Sequence, residues 1–247
     1  MLRKLVALAD ITRDDVVVEI GAGHGDLTRA ICERAGFVHS IEIDRSFRDR
    51  LASLDHEHDN LMMHFGDFLQ MPLSRFAKDK KIKVMGNIPY GITGPILFKI
   101  IEERTLVHSA YLTTQKEIGQ RVTSASHSRS YGALSAICRL IADVKILMYL
   151  KPGIFIPPPK VDSVYFSMVF KEDTLTIERR HIEFIKHCFE NKRKYLRHAL
   201  LKYYDEELVT ALYDVMGFAS SIRAEEIEPE TYMGMFDIVG KLNEQEG

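Results

Sequence analysis

The sequence predicts an α/β chain, a doubly wound and mostly parallel sheet followed by a small all-α domain. Short β-branched runs alternate with longer amphipathic stretches from Asp15 to about Phe170. The first run, Val16-Val17-Val18-Glu19-Ile20, leads straight into a glycine cluster. After about Lys171 strand signals stop and helical periodicity alone remains. Strands that alternate with helices make βαβ units, and hence a sheet covered on both faces.

The elements follow in order. A helical stretch from about Gly25 to Arg34 precedes a second strand, Phe37–Ile43, and a helix over about Arg45–Leu54 leads to a third, Leu61–Phe65. Lys81–Met85 is a fourth strand, then come a helix near Gly94–Glu103, a strand Ser109–Thr113 and a helix starting at Gln115. Two more strand-like runs, Val144–Leu150 and Val161–Phe170, flank the turn-rich Lys151-Pro152-Gly153 and Pro157-Pro158-Pro159. Strands joined without a helix are most simply antiparallel, added at one edge of the sheet. His181–Phe189, Arg193–Lys202, Glu206–Met216 and Pro229–Lys241 carry the helical period of a small domain. Ser124–Ser130 reads as a polar, mobile loop.

Length and composition bound the answer. The 247 residues suit one full domain and an appendage, expected at 1–172 and 173–247. At 46% hydrophobic and 28% charged the chain can bury a real core. No apolar run approaches the ~18 residues of a membrane helix, and Met1 opens onto Leu-Arg-Lys, so no membrane and no signal sequence are expected. The cysteines Cys32, Cys138 and Cys188 are scattered and odd in number, which excludes a disulfide scaffold and fits a cytoplasmic location. The ten histidines form no HxxxH or HExxH arrangement, so no metal site is expected.

Gly21-Ala22-Gly23-His24-Gly25 at the end of the first strand is G-x-G-x-G. Glycines there let the backbone turn sharply and approach a ligand, although an ordinary tight βα turn uses them equally well. The dinucleotide fingerprint G-x-G-x-x-G/A fails at Asp26, which disfavours a pyrophosphate. Glu42, near the end of the second strand, can accept both hydroxyls of a ribose. Asp67, in Phe65-Gly66-Asp67-Phe68, can accept from an adenine amine. Either alone reads as a solvated loop carboxylate. Together, at successive strand ends, they line the crevice where open α/β sheets bind ligands. An adenosine without a diphosphate points to S-adenosyl-L-methionine (SAM).

Gly86-Asn87-Ile88-Pro89-Tyr90 ends the fourth strand in the same rim. Asn-x-Pro-aromatic has a chemical reason when the nucleophile is an exocyclic base amine. The lone pair of adenine N6 is delocalised into the ring and must become tetrahedral to attack a methyl group. The Asn87 side-chain oxygen and the Ile88 carbonyl are two acceptors for its two N–H bonds. Pro89 restricts Ile88 to extended conformations, and Tyr90 offers a face for an extruded base. A strand-capping Asn with a Pro turn is the plainer alternative.

These residues resemble the SAM-dependent rRNA adenine N6,N6-dimethyltransferases of the KsgA type, relatives of the erythromycin-resistance methyltransferases. The resemblance rests on Val18–Thr28, Ile41–Arg45, Gly66-Asp67, Asn87–Tyr90, Gln115–Glu117, Tyr131–Ser135, Phe155–Ser163 and the basic run Asn191–Arg197. It implies a Rossmann-like SAM methyltransferase sheet with an antiparallel edge, acting on small-subunit rRNA in an immature 30S-type particle, as a monomer. Gly21, Gly23, Glu42, Asp67, Phe68 and Asn87 would hold SAM. Asn87, Ile88, Pro89 and Tyr90, with Phe155 as a second aromatic, would hold the adenine. The family's Gly-Gln-Asn-Phe-Leu segment does not occur in these residues, and a chain lacking it is expected to bind SAM weakly.

Net charge is −2, yet its distribution is uneven. Asn191–Tyr204 carries five bases and no acid, while Arg223–Gly247 carries seven acids and two bases. A basic helix bearing Lys192, Arg193, Lys194 and Arg197 suits phosphate contacts on folded RNA; a solvated cationic face is the alternative. Rival readings are the erythromycin-resistance type acting on large-subunit rRNA, a methyltransferase-like RNA-assembly factor, and a nicotinamide oxidoreductase.

Overall fold

The computed structural model of the chain describes residues 1–154, 159–172, 177–192 and 194–245. Seven strands form one sheet: β1 (Val16–Ile20), β2 (Phe37–Glu42), β3 (Leu61–Phe65), β4 (Ile82–Asn87), β5 (Val107–Gln115), β6 (Ala142–Leu150) and β7 (Ser163–Phe170). Their order is β3-β2-β1-β4-β5-β7-β6. β3, β2, β1, β4 and β5 run parallel, and β7 lies antiparallel on β5. The expected antiparallel edge is there, with β7 placed inside and β6 outermost. Strand order reverses between β1 and β4, so their C-terminal ends open a crevice at the topological switch point.

In the first unit the helices are α1 (Leu2–Leu8), α2 (Asp26–Cys32), α3 (Arg48–Glu57), α4 (Thr93–Glu102) and the start of α5 (Lys116–Thr123). β1 reads Val-Val-Val-Glu-Ile because it is central, and four of its five residues are buried. Covering helices bury one stripe each: α4 inserts Ile96, Leu97, Ile100 and Ile101. Each such side chain stabilises the fold by about 1.5–3 kcal/mol. The helix expected over Arg45–Leu54 begins with a 3-10 turn, Arg45–Phe47, capped by the Asp44 carboxylate on the Ser46 amide.

The chain divides into two compact units, Met1–Gly119 with Asp143–Phe170, and Gln120–Ala142 with Lys171–Gly247. The chain passes between them three times, after Gly119, Ala142 and Phe170, where the sequence suggests one boundary near residue 172. The segment that includes α6 (Ala133–Ile141) joins the later helices α7 (Arg179–Cys188), α8 (Leu196–Leu200), α9 (Glu206–Met216) and α10 (Pro229–Gln245). Burial explains it: Tyr131 is fully buried and its hydroxyl donates to the Ile227 carbonyl at 3.0 Å.

Two expectations for this second unit change. The Ser124–Ser130 loop is tied down: the His127 amide donates to the Glu225 carbonyl at 2.8 Å, and Ser126 donates to Glu228. The basic run is not one helix. A turn closed by the Lys194 amide on the Asn191 carbonyl precedes Tyr195, which is extended, and only Leu196–Leu200 is α-helical. Clustered like charges without acids at helical spacing disfavour the longer helix. Among the described residues, no helix is long and apolar enough to cross a membrane.

Candidate active site

After β1 the chain turns through Gly21, Gly23 and Gly25 at φ of 77°, 52° and 82°. L side chains avoid these left-handed values. Four of the turn's five amides are taken up within the protein. Gly21 and Ala22 donate to the Ile41 carbonyl at 2.8 and 3.2 Å, and Gly25 donates to Ala22 at 2.8 Å. The Gly23 amide donates to Glu42 Oε2 at 2.7 Å. A diphosphate is held by unpaired backbone amides, so this turn is poorly suited to a dinucleotide.

Glu42 ends β2 at 6% exposure, its second oxygen accepting from the Asp44 amide at 2.8 Å. Two backbone amides thus fix the carboxylate beside the turn. Behind it, Glu19 of β1 is fully buried and accepts from the Thr28 hydroxyl of α2 at 2.6 Å and from Ser40 of β2 at 2.5 Å. Its Oε1 has no partner. Burial pushes the Glu19 carboxyl up to about 7, opposed by the two hydroxyls and helped by the Glu42 charge. Burial likewise pushes the Cys32 and Cys138 thiols up to about 12, so neither is an activated nucleophile.

β4 brings Asn87 to the same rim, exposed at the strand end and in register with Thr113 of β5. Gly86 lets β4 lie close to β1, since a Cβ there would stand 2.7 Å from the Ile20 carbonyl oxygen. Ile88 buries its side chain to 1% exposure while its amide donates to Thr113 at 3.1 Å. Pro89, at φ −56° and ψ 133°, leads into a 3-10 turn, Tyr90–Ile92. Ile88 and Pro89 therefore pass the chain from strand to turn next to Asn87.

Gly21, Gly23 and Asn87 share the wall of a cavity of about 580 Å³, a size that suits a small-molecule cofactor. Its apolar wall includes Leu2 and Leu5 of α1, Met85 and Leu150. A Cβ on Gly23 would meet nothing within 4 Å, so open space lies over the turn. The wall joins apolar side chains to polar groups, Asn87 and Thr113 among them, and so offers both to a ligand of SAM's size. Glu42, Asp67 and Phe68 stand outside this wall. Asp67 is half-buried and its Oδ1 accepts from the Leu69 amide at 2.9 Å, capping a 3-10 turn. Phe68 is 4% exposed, with Lys99 Nζ 5.8 Å from its ring centre.

Several wall residues carry no sequence signal of their own. Tyr165 is buried and donates to the Leu5 carbonyl at 3.0 Å, fastening α1 against β7. His24, Asp26 and Arg50 also line the cavity. Ile43, just past Glu42, is 68% exposed. In the second unit Lys192 lies 3.5 Å from Glu225, and Arg197 lies 3.2 Å from Glu206, so the expected cationic face is partly neutralised. Lys194 is exposed. Phe155, Pro157, Pro158, Arg193 and the Tyr90 side chain lie outside the described residues.

Comparison with known proteins decides the family. The profile of ribosomal RNA adenine dimethylase matches residues 1–241. The chain belongs to that family. The ribosomal RNA small subunit methyltransferase A of Syntrophus aciditrophicus (strain SB) is 34% identical over 245 residues, covering 95% of this chain and 88% of its own. A dimethyladenosine transferase from Plasmodium falciparum has a crystal structure that superposes with a TM-score of 0.84 at 25% identity, over 97% of this chain and 96% of its own. The 23S rRNA methyltransferase ErmE shares the fold at a TM-score of 0.74 and 24% identity, covering 97% of this chain and 96% of its own. Within the adenine dimethylase family, the SAM-dependent chemistry read from the glycine turn and Asn87 has its setting.

Proposed function

We propose that this adenine dimethylase transfers methyl groups from SAM to adenine N6 in small-subunit rRNA, giving N6,N6-dimethyladenosine. The observation that carries the reading is the meeting of the glycine turn and Asn87 on one cavity wall, at the adjacent ends of β1 and β4. SAM supplies, when bound, an electrophilic methyl group on a sulfonium. Gly21, Gly23, Glu42, Asp67 and the backbone at Phe68 would hold it, with Ile43 as an apolar face for its adenine. The Asn87 side-chain oxygen and the Ile88 carbonyl accept the two N–H bonds of the target amine and favour a tetrahedral nitrogen. Pro89 helps fix the direction of that carbonyl, and Tyr90 with Phe155 would stack the extruded base. Catalysis is then positioning and electrostatics.

Extruding a base is cheapest where RNA is not yet fully packed, which supports an immature 30S-type particle as substrate. A monomer is the proposed acting unit. A ribosomal substrate accords with a cytoplasmic location. Lys192, Arg193, Lys194 and Arg197 would contact phosphates, with Lys192 and Arg197 exchanging their acidic partners for RNA.

The test is methyl transfer from labelled SAM to immature 30S particles, with the modified nucleoside read by mass spectrometry. Dimethyladenosine confined to small-subunit rRNA is expected, and Asn87→Ala should cut turnover by about 100-fold or more while SAM still binds. Product in large-subunit rRNA would overturn the substrate. SAM binding without product would favour an RNA-assembly role.

A further inference from the structure

α4 adjoins both loops assigned above to an adenine, one to the cofactor's and one to the target's. It packs on the 3-10 turn Phe68–Gln70, which follows Asp67, and on the 3-10 turn Tyr90–Ile92, which leads into its own first residue. Its far end reaches back to the first of these loops. Glu103, the residue that closes α4, accepts from the Leu73 amide at 2.6 Å through Oε2 and from Lys99 Nζ at 2.5 Å through Oε1. Lys99 Nζ in turn lies 5.8 Å from the Phe68 ring centre. The Lys99 and Glu103 side chains are well shielded, at 14% and 25% exposure. The stretch from Asp67 to Leu73 is thus held at two points, Phe68 by the ammonium and Leu73 by the carboxylate.

Helix stability does not explain Glu103. A carboxylate at the C-terminal end of a helix opposes the macrodipole, and Lys four residues before Glu is the weaker order for a helical pair. What Glu103 answers is the loop. Leu73 is fully buried, and Pro72 before it has no side-chain acceptor to cap the turn, so the amide needs a partner from elsewhere. We propose that Glu103 and Lys99 are positioning residues that set Asp67 against the 6-amino group of the cofactor's adenine, an assignment that rests on the cofactor reading above. Asp67 Oδ1 is taken by the Leu69 amide at 2.9 Å, so Oδ2 is the oxygen for the amine and its direction follows the turn. Within the turn the Gln70 amide donates to the Asp67 carbonyl at 3.0 Å, and the Met71 amide to Phe68 at 3.1 Å. These bonds stiffen the stretch, and a hold at Phe68 and Leu73 therefore reaches Asp67.

Two probes separate positioning from packing. S-adenosylhomocysteine is SAM without its methyl group, and S-inosylhomocysteine carries a carbonyl in place of the 6-amino group. Isothermal titration gives each protein's preference for the first ligand over the second. Asp67→Ala should abolish that preference. Glu103→Ala should lower it by roughly 5-fold, most of what one such hydrogen bond contributes, while S-inosylhomocysteine binds as it does to the parent. Glu103→Gln still accepts from Leu73 and should restore most of the preference. Lys99→Met keeps the stem beside Phe68 and loses the charge, so it should act as Glu103→Ala does and by less. An unchanged preference in Glu103→Ala, or in Lys99→Met where Glu103→Ala does not fold, overturns the assignment. Equal weakening of both ligands overturns it too, because the pair would then only support the fold. If Asp67→Ala leaves the preference intact, or the parent binds neither ligand, the cofactor reading itself fails and takes the positioning role with it.

Discussion

Glu19 lies inside the sheet with two hydroxyls on one oxygen and nothing on the other. Its carboxyl rises from an ordinary 4.5 to about 7, first because burial penalises the charge. Between those values the unfolded chain has lost the proton and the folded chain has kept it. The stabilisation from the protonated form is therefore complete below the ordinary carboxylate range and is lost as pH rises through about 7. Glu19→Gln imitates the protonated acid, still accepting from Thr28 and Ser40, and is uncharged throughout. Urea unfolding should show the variant gaining on the parent by about 1–3 kcal/mol between roughly pH 5 and pH 8. A constant difference across that range would mean that Glu19 ionises normally. Sequence marked Glu42 and Asp67 because strand-end carboxylates suggest ligands. Glu19 passed as part of a buried run, since its partners, Thr28 and Ser40, lie nine and twenty-one residues away and meet it only in the fold.

At the scale of elements, the site depends on how closely β1 and β4 approach. A Cβ on Gly86 would stand 2.7 Å from the Ile20 carbonyl oxygen and 3.1 Å from Ile20 Cβ, both on a rigid neighbouring strand. Gly86→Ala should therefore spread the two strand ends, lower stability by about 1–3 kcal/mol, and weaken S-adenosylhomocysteine binding. Thermal melting and titration calorimetry read the two effects; loss of neither would show that strand spacing does not set the site. Elements with local punctuation were legible. α9 has Asp205 as its N-cap, accepting from the Leu208 amide at 2.8 Å, and Gly217 at φ 64° as its stop, and its limits were read correctly. α6 was missed because it runs from Ile141 directly into β6 at Ala142 with no Gly or Pro between them. The basic segment was read too long, because charge at helical spacing signals an exposed face and says nothing about where the backbone turns.

For the whole molecule, alternating strands and helices disclosed the sheet, while the division into units escaped a linear reading. Gln120–Ala142 sits among α/β signals in the chain yet packs with the late helices, through contacts such as Tyr131 on Ile227 that span 96 residues. Compositional boundaries cannot show a segment that leaves one unit and returns. The division has a consequence for ligand linkage. All described residues of the cavity wall belong to the first unit, so a ligand there stabilises that unit directly, by about 2.7 kcal/mol at 100 times its dissociation constant. Amides that exchange by local opening report only their own surroundings. Saturating S-adenosylhomocysteine should thus slow hydrogen exchange in Val16–Gly25 and Ile82–Asn87, and leave locally opening amides of α9 and α10 at their original rates. Equal slowing in α9 and α10 would mean that the two units open as one cooperative body, and protection in those helices alone would move the ligand out of the cavity beside the glycine turn.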